Sequence, residues 1–433
     1  MAERYYNLQL GLSLIGTIWY GIIWSIGLLG CWTARKRYRS RPPPLPSAPP
    51  SSTPGVSILR PLKGLDTNLF ENLKSSFRQD YPNFEILLSV ADDRDEALPV
   101  VRELISQYPN VNARVIIGDE DVGVNPKVNN LMRPYNEAAH DILWVLDSNI
   151  AVAPGTLTRA IGILSGPSPS NPIPPRRRIA LVHHVPFAIS NQVSFGAQVE
   201  EAFLNTNHAK MYIAINAVAV DSCVVGKSNL FRRSDLERLD GSLVRQKNRE
   251  NSRQGRGLAA FGRFIAEDNM IGLALWHELD VRHSLSCDVV YNALGDMSLT
   301  DYVWRRVRWI RVRKYMSLLV TFLEPFTESV MLSAVTAMSV RFLIGVPIRL
   351  FLPVHFFLWV MVDLDVYASL AGHSLPVAKW GHFLVAWAVR ELLAFPIWVL
   401  AVVGNEVEWR GRRYRLLRDG EVERIGRGRS AVL

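Results

Sequence analysis

The chain has 433 residues, enough for one or two domains with well-buried cores. Its formal net charge of +9 could serve nucleic acid, anionic lipid or a phosphorylated substrate. Much of that excess stands beside apolar segments, in Arg35-Lys36-Arg37-Tyr38-Arg39 and Arg410-Gly411-Arg412-Arg413-Tyr414-Arg415, which argues for a membrane surface and against nucleic acid.

Leu8 to Trp32 is almost wholly apolar and long enough to span a bilayer, for which about 20 residues suffice. It is too long for the apolar core of a cleaved signal peptide and ends in Cys31-Trp32, so it reads as a retained anchor. The basic cluster that follows predicts a lumenal N-terminus and a cytosolic remainder. Pro42 to Pro54 is an extended Pro/Ser linker that cannot build a core.

The next region alternates strands and helices. Val56–Leu59, Phe84–Val90, Ala113–Ile117 and Ile142–Leu146 read as strands; Asp66–Gln79, Asp95–Gln107 and Lys127–Ala139 read as helices. Near-continuous apolar strands between helices predict a mostly parallel, Rossmann-like sheet covered on both faces. Two inserts interrupt the pattern, Pro-rich at 166–178 and basic at 240–257. The three cysteines, Cys31, Cys223 and Cys287, lack metal-ligand spacing and suit a reduced, cytosol-facing domain.

Apolar segments return after Tyr315. Tyr315–Phe326 reads as interfacial, Ser329–Val362 is broken by Arg341, Pro347 and Arg349, and Trp380–Val403 carries Arg390 and Glu391. A cytosolic basic tail requires an even number of crossings here, and two are expected. The predicted organisation is therefore an anchor with its basic flank at 1–41, a linker at 42–54, a catalytic domain at 55–314, transmembrane or interfacial helices at 315–408 and a basic tail at 409–433.

Ligands of such sheets bind beyond the carboxyl ends of the strands, where Asp92 and Asp147 stand. Asp147 can hold Mg²⁺ or Mn²⁺ against diphosphate oxygens, or can simply be a turn or N-cap carboxylate. Asp92 can bind uridine or ribose, or can be one loop acid among several. Glu267-Asp268 begins a predicted helix, where a carboxylate can act as a general base or stabilise the helix N-terminus. Arg305 and Arg308 lie one turn apart beside Trp309 and can clamp a diphosphate; a basic juxtamembrane helix explains them equally well.

The order of these signals says more than any one of them. Asp, Asp-x-Asn, Glu-Asp and Arg-x-x-Arg-Trp, ending at apolar helices, resembles the series of inverting nucleotide-sugar glycosyltransferases that cellulose, chitin and hyaluronan synthases share. Within that class the chain resembles the ceramide glucosyltransferases over most of its length. The segments that carry this include Arg60-Pro61-Leu62-Lys63-Gly64, Val124 to Met132, Leu181-Val182-His183-His184-Val185-Pro186, Cys223 to Ser228 and Ile265-Ala266-Glu267-Asp268.

The resemblance implies a GT-A catalytic domain facing the cytosol from a Golgi or ER membrane, with UDP-glucose as donor, ceramide as acceptor and the bilayer as a partner. It implies that Asp92, Asp147 and Asp268 are the series aspartates, that Arg305, Arg308 and Trp309 are the terminal motif, and that His183 lies near the acceptor. In the mechanism that follows, Asp268 is the base and Mg²⁺ or Mn²⁺ sits on Asp147. Lys127 and the two arginines stabilise departing UDP, and Lys63 and Asp92 hold the nucleotide. Asn149 stands where many sugar transferases carry a second metal-motif carboxylate. A processive polysaccharide synthase and a catalytically silent membrane scaffold are the alternatives. The first needs more membrane helices, and the second should have lost a series carboxylate.

Overall fold

The computed structural model describes residues 1–39, 53–166, 177–190, 194–243, 255–409, 411–417 and 420–425. Most of the Pro-rich linker, the middle of both inserts, Arg410 and the end of the basic tail lie outside the described residues. Along the chain run α1 (Ala2–Ala34), β1 (Val56–Pro61), α2 (Leu69–Phe77), β2 (Phe84–Val90), α3 (Leu98–Gln107), β3 (Ala113–Ile117), α4 (Pro126–Glu137), β4 (Ile142–Leu146), β5 (Ile150–Ala151) and α5 (Thr156–Ser165). Next come β6 (Ile179–Ser190), α6 (Phe195–Phe203), α7 (Ala209–Val218), β7 (Ser228–Arg232), α8 (Arg233–Leu236), α9 (Glu267–Glu278) and β8 (Arg282–Leu294). The last elements are α10 (Leu299–Met316), α11 (Leu318–Leu323), α12 (Ser329–Ile344), α13 (Ile348–Ala371), α14 (Trp380–Val403), β9 (Glu406–Trp409), β10 (Arg412–Leu416) and β11 (Val422–Arg424).

These elements form two compact units, one of residues 41–192, 219–295 and 420–433, the other of residues 1–40, 193–218 and 296–419. Residues 193–218 and 296–314 cluster with the terminal helices, although they fall inside the stretch that the linear pattern assigns to the catalytic domain.

The first unit is built on an eight-stranded sheet of order β3-β2-β1-β4-β7-β6-β8-β5. The first four strands are parallel, with Val56 opposite both Phe84 and Ile142. Beyond them β7 runs antiparallel to β4 and β6, β6 and β8 run parallel, and β5 pairs antiparallel at the edge. The expected mostly parallel, Rossmann-like α/β class is thus present, extended by strands that the alternating pattern had not separated. The apolar runs make the core: Ile58, Ile86, Leu88 and Trp144 on the sheet pack with Leu73 and Leu104 on its helices, all fully buried.

Local chemistry fixes where the functional loops start. Asn125 caps α4, its Oδ1 accepting from the backbone of Lys127 at 2.8 Å, and Pro126 occupies the first turn, where no N–H is needed. That cap sets the direction in which Lys127 leaves the helix.

The second unit is helical. α1 with its five-residue extension, α13, and α14 with its preceding turn are long and apolar enough to cross a membrane; the pair α11/α12 adds a fourth candidate if its two parts, bent by 69°, form one span. The predicted interruption at Arg341–Arg349 is the gap between α12 and α13. There Gly345 adopts φ +72°, a conformation that favours glycine, and its N–H donates to the Arg341 carbonyl at 3.0 Å. Two clusters of charge in the helical unit face protein, as their cost in a bilayer requires, while Arg341 and Arg349, beside the α12/α13 break, are exposed. Arg390 pairs with Glu391 at 2.6 Å and with Glu328. Lys210 pairs with Asp363 at 2.7 Å and lies 4.0 Å over the Trp359 ring.

Candidate active site

The carboxyl end of β4 presents Asp147, whose N–H donates to the Lys227 carbonyl at 3.2 Å across the β4/β7 pairing. Each Asp147 oxygen meets a different ammonium: Oδ1 lies 2.9 Å from Lys127 Nζ, and Oδ2 lies 3.0 Å from Lys227 Nζ. Lys127 also reaches Glu267 Oε1 at 2.9 Å. The other Glu267 oxygen accepts from Asn125 Nδ2 at 2.9 Å, so the residue that caps α4 also fixes the carboxylate at the start of α9.

Asp268, the next residue, has a different environment. Among the described residues neither of its oxygens forms an ion pair; an ideal Cβ placed on Gly226 would lie 1.9 Å from its Oδ2. Only a residue without a side chain leaves that approach open. Burial, then repulsion from Glu267, pushes its carboxyl up to about 7, with Lys127 pulling the other way. Burial also acts to raise Asp147, but Lys127 and Lys227 outweigh it and hold that carboxyl below the usual range. Lys127 shows the mirror effect: burial would lower it, yet Asp147, Glu267 and Asp268 hold its ammonium above the usual lysine range. Asp147 and Asp268 are therefore driven apart in proton affinity, a pattern that marks Asp268 as a candidate base. The cap of α9 is Ala266, with no side-chain cap bond, so neither Glu267 nor Asp268 occupies the N-cap position.

Asn149 has a structural use that a carboxylate could not fill. Its Oδ1 accepts from Lys227 Nζ at 3.2 Å while its Nδ2 donates to Asn292 Oδ1 at 2.9 Å. An Asp would have no donor to offer β8. Arg60 lies fully buried in β1, with both terminal nitrogens donating to the Ile150 carbonyl at 3.0 Å. Burial pushes it down to about 9, against the pull of Asp147.

A divalent cation can be tested against this set. Among the described residues no three His, Cys, Asp or Glu side chains converge as a metal cage. A single ionised carboxylate still fits Mg²⁺ or Mn²⁺, which are held by one or two carboxylates together with substrate phosphates and water. Asp147 is ionised, and each of its oxygens keeps a lone pair beyond the one its lysine takes, so it can serve as the protein's single ligand.

Of the residues predicted from sequence, Lys127, Asp147 and Asp268 come together. Asp92 follows β2, exposed, with Oδ1 accepting from the Arg94 N–H at 2.8 Å. Lys63 is exposed in the loop after β1, whose Gly64 N–H is held by Asp95 Oδ1 at 2.9 Å. His183 is fully buried in β6, 3.1 Å from the His283 ring of β8. Arg305, Arg308 and Trp309 lie on α10 in the helical unit, where Arg305 Nε donates to buried Glu200 at 2.9 Å and Arg308 donates to the Glu408 carbonyl at 3.4 Å. Sequence reading missed Lys227, Asn125, Gly226 and His283. The first three stood in or beside quoted segments, but only strand pairing and the α4 cap reveal what they touch.

The chain matches the model of glycosyl transferase family 21 over residues 18–422. It is 35% identical to a ceramide glucosyltransferase of Komagataella phaffii, across 96% of this chain and 92% of that protein. A ceramide glucosyltransferase of Candida albicans is 33% identical, across 86% and 88%. Among solved structures, a mannosyltransferase from Pyrobaculum calidifontis in complex with GDP-Man and Mn²⁺ superposes with a TM-score of 0.43 at 18% identity, covering 90% of this chain and 98% of that one.

Proposed function

The chain belongs to glycosyl transferase family 21, and from that premise we propose that it transfers glucose from UDP-glucose to the primary hydroxyl of ceramide, with inversion, giving glucosylceramide. The observation that carries the chemistry is the contrast between Glu267, held on both oxygens, and Asp268, which among the described residues makes no ion pair and has raised proton affinity.

In this reaction Asp268 takes the hydroxyl proton as the acceptor oxygen bonds to the anomeric carbon and the bond to the diphosphate oxygen breaks. The electron pair of that bond leaves with UDP. Lys127 and Lys227 offer positive charge to the diphosphate as negative charge develops there. Mg²⁺ or Mn²⁺ held by Asp147 would supply further Lewis-acid stabilisation of the leaving group. Arg305, Arg308 and Trp309 are assigned to the departing UDP on the strength of their motif. Lys63 and Asp92 are assigned to the nucleotide, and His183, from within β6, to shaping the acceptor side.

The protein is a membrane protein in this reading, with the sheet unit on the cytosolic side of an ER or Golgi membrane. A lumenal N-terminus and a cytosolic tail call for an even number of later crossings; α13 and α14, each long and apolar enough alone, supply two, with α11/α12 dipping into one leaflet. Incubating the detergent-solubilised protein with UDP-glucose and ceramide tests the function by mass spectrometry of the lipid product. Glucosylceramide is expected, and its absence, with UDP-glucose still bound, would refute the assignment.

A further inference from the structure

Two buried carboxylates of the sheet unit, Asp288 and Asp235, each take two nitrogens of one guanidinium. Arg159 donates to Asp288 through Nε at 2.6 Å and a terminal nitrogen at 2.9 Å; Arg178 donates to Asp235 through both terminal nitrogens, at 2.8 and 2.5 Å. Such forks engage both oxygens of the acid and fix the elements that carry them. Glu200, on α6 of the helical unit, is paired differently. It is fully buried, yet it meets Arg305 of α10 through one oxygen and Nε alone, at 2.9 Å. Its second oxygen is buried and has no partner among the described residues. Among the same residues the two terminal nitrogens of Arg305 make no hydrogen bond, and its side chain stays 24% exposed.

A pair built for stability would close the fork, because a buried oxygen left without a donor is costly. This pair grips one edge of the guanidinium and leaves the other open. The surroundings keep that edge in one place. Gly196, at the start of α6, lies so near the α10 cap that an ideal Cβ there would collide with the Ser298 carbonyl, and the Ser194 hydroxyl accepts from the Met297 N–H at 3.1 Å. One turn on, Glu200 faces the second turn of α10. The Trp309 ring lies 5.3 Å from the Arg305 guanidinium and 6.1 Å from the His208 ring, which stacks on Tyr212 at 5.7 Å. His208 ends a π-helical turn, Leu204–His208, a form that helices keep mostly at functional sites. Arg305 is thus held by a carboxylate at Nε and an indole beside it. A planar fork needs such constraint to meet two phosphate oxygens in one orientation.

Resting on the function proposed above, we propose that Glu200 is a positioning residue for the departing nucleotide. It holds Arg305 by Nε so that both terminal nitrogens serve the diphosphate of UDP.

The sign of the effect separates this role from a bland one. A carboxylate near an anionic ligand repels it, so removing a carboxylate that does no positioning should leave UDP binding unchanged or tighter. The test is a double-mutant cycle on UDP affinity, measured by calorimetry on the full chain in nanodiscs with Mn²⁺ present. UDP should bind about tenfold more weakly to Glu200→Met and to Arg305→Met, the effect of losing one charge-assisted hydrogen bond. The double variant should bind no more weakly than Arg305→Met alone, and Glu200→Gln, which keeps an acceptor for Nε, should recover part of the loss. If Glu200→Met gives no folded protein, Glu200→Gln takes its place in the cycle; if Arg305→Met gives none, Arg305→Gln does. Unchanged or tighter UDP binding in the folded Glu200 variant overturns the proposal. So do losses that multiply in the double variant, because Glu200 would then act independently of Arg305. The cycle involves no acceptor, so a wild type that binds UDP but makes no glucosylceramide would count against the function and not against this role.

Discussion

Both units bury clusters of acidic and basic side chains, yet the clusters are built to different ends. In the helical unit Arg390 lies between Glu328 and Glu391, and Lys210 lies against Asp363, so charge is neutralised in pairs and the helices are fixed. In the sheet unit Lys127 pairs with Asp147 and Glu267 and Lys227 with Asp147, and among the described residues Asp268 makes no ion pair. The first arrangement gives rigidity. The second stores a carboxyl whose proton affinity suits work near neutral pH. A buried charge is thus structural or reactive according to whether its neighbours complete it.

The strongest break of that contrast is Asp268→Asn. Glucose transfer to ceramide should fall by about 10²–10⁴-fold, the usual weight of a general base, while UDP affinity measured by calorimetry stays within about twofold. Stability should move the other way. The folded carboxyl titrates at about 7, above its unfolded range, so its contribution is favourable at low pH and is lost as pH rises through 7. The variant should therefore melt higher than wild type at pH 8 and gain little at pH 5.

Arg390→Met is the counterpart in the helical unit. It leaves Glu328 and Glu391 buried without their cation, a loss of about 3–5 kcal/mol. Detergent-solubilised protein should show a lower melting temperature and poor recovery. A folded variant with unaltered melting would mean that the pairing is incidental.

The smallest effect is expected of Lys227→Met. Asp147 keeps Lys127, so the fold should persist, while UDP affinity drops about tenfold through loss of one charged contact. Unchanged affinity would leave Lys127 as the sole ammonium serving the donor.

What was legible in the sequence follows the range of the interactions involved. β2, β3 and β4 were readable to the residue, because continuous apolar runs between turns depend on near neighbours. Asp147 and Asp268 stood out as candidates because a strand end and a helix start mark them locally. The partnership of Lys227 with Asp147 depends on antiparallel pairing between β4 and β7, strands separated by some eighty residues, and no periodicity encodes it. The same holds for Asn125, whose sequence signal as a helix cap hides its second bond to Glu267. β6 and β8 went unread because their alternation is blurred by long, almost wholly buried stretches and register shifts.

In the proposed mechanism Asp268, and not the fully engaged Glu267, accepts the proton. The most direct measurement is the pH dependence of kcat/KM for UDP-glucose at saturating ceramide, since this ratio reports the ionisation of the donor-free protein. The wild type should lose activity about tenfold per pH unit below an apparent pKa near 7, and Asp268→Asn should show a low rate without that limb. A wild-type profile flat from pH 8 down to pH 5, or the same acid limb in Asp268→Asn, would contradict the account.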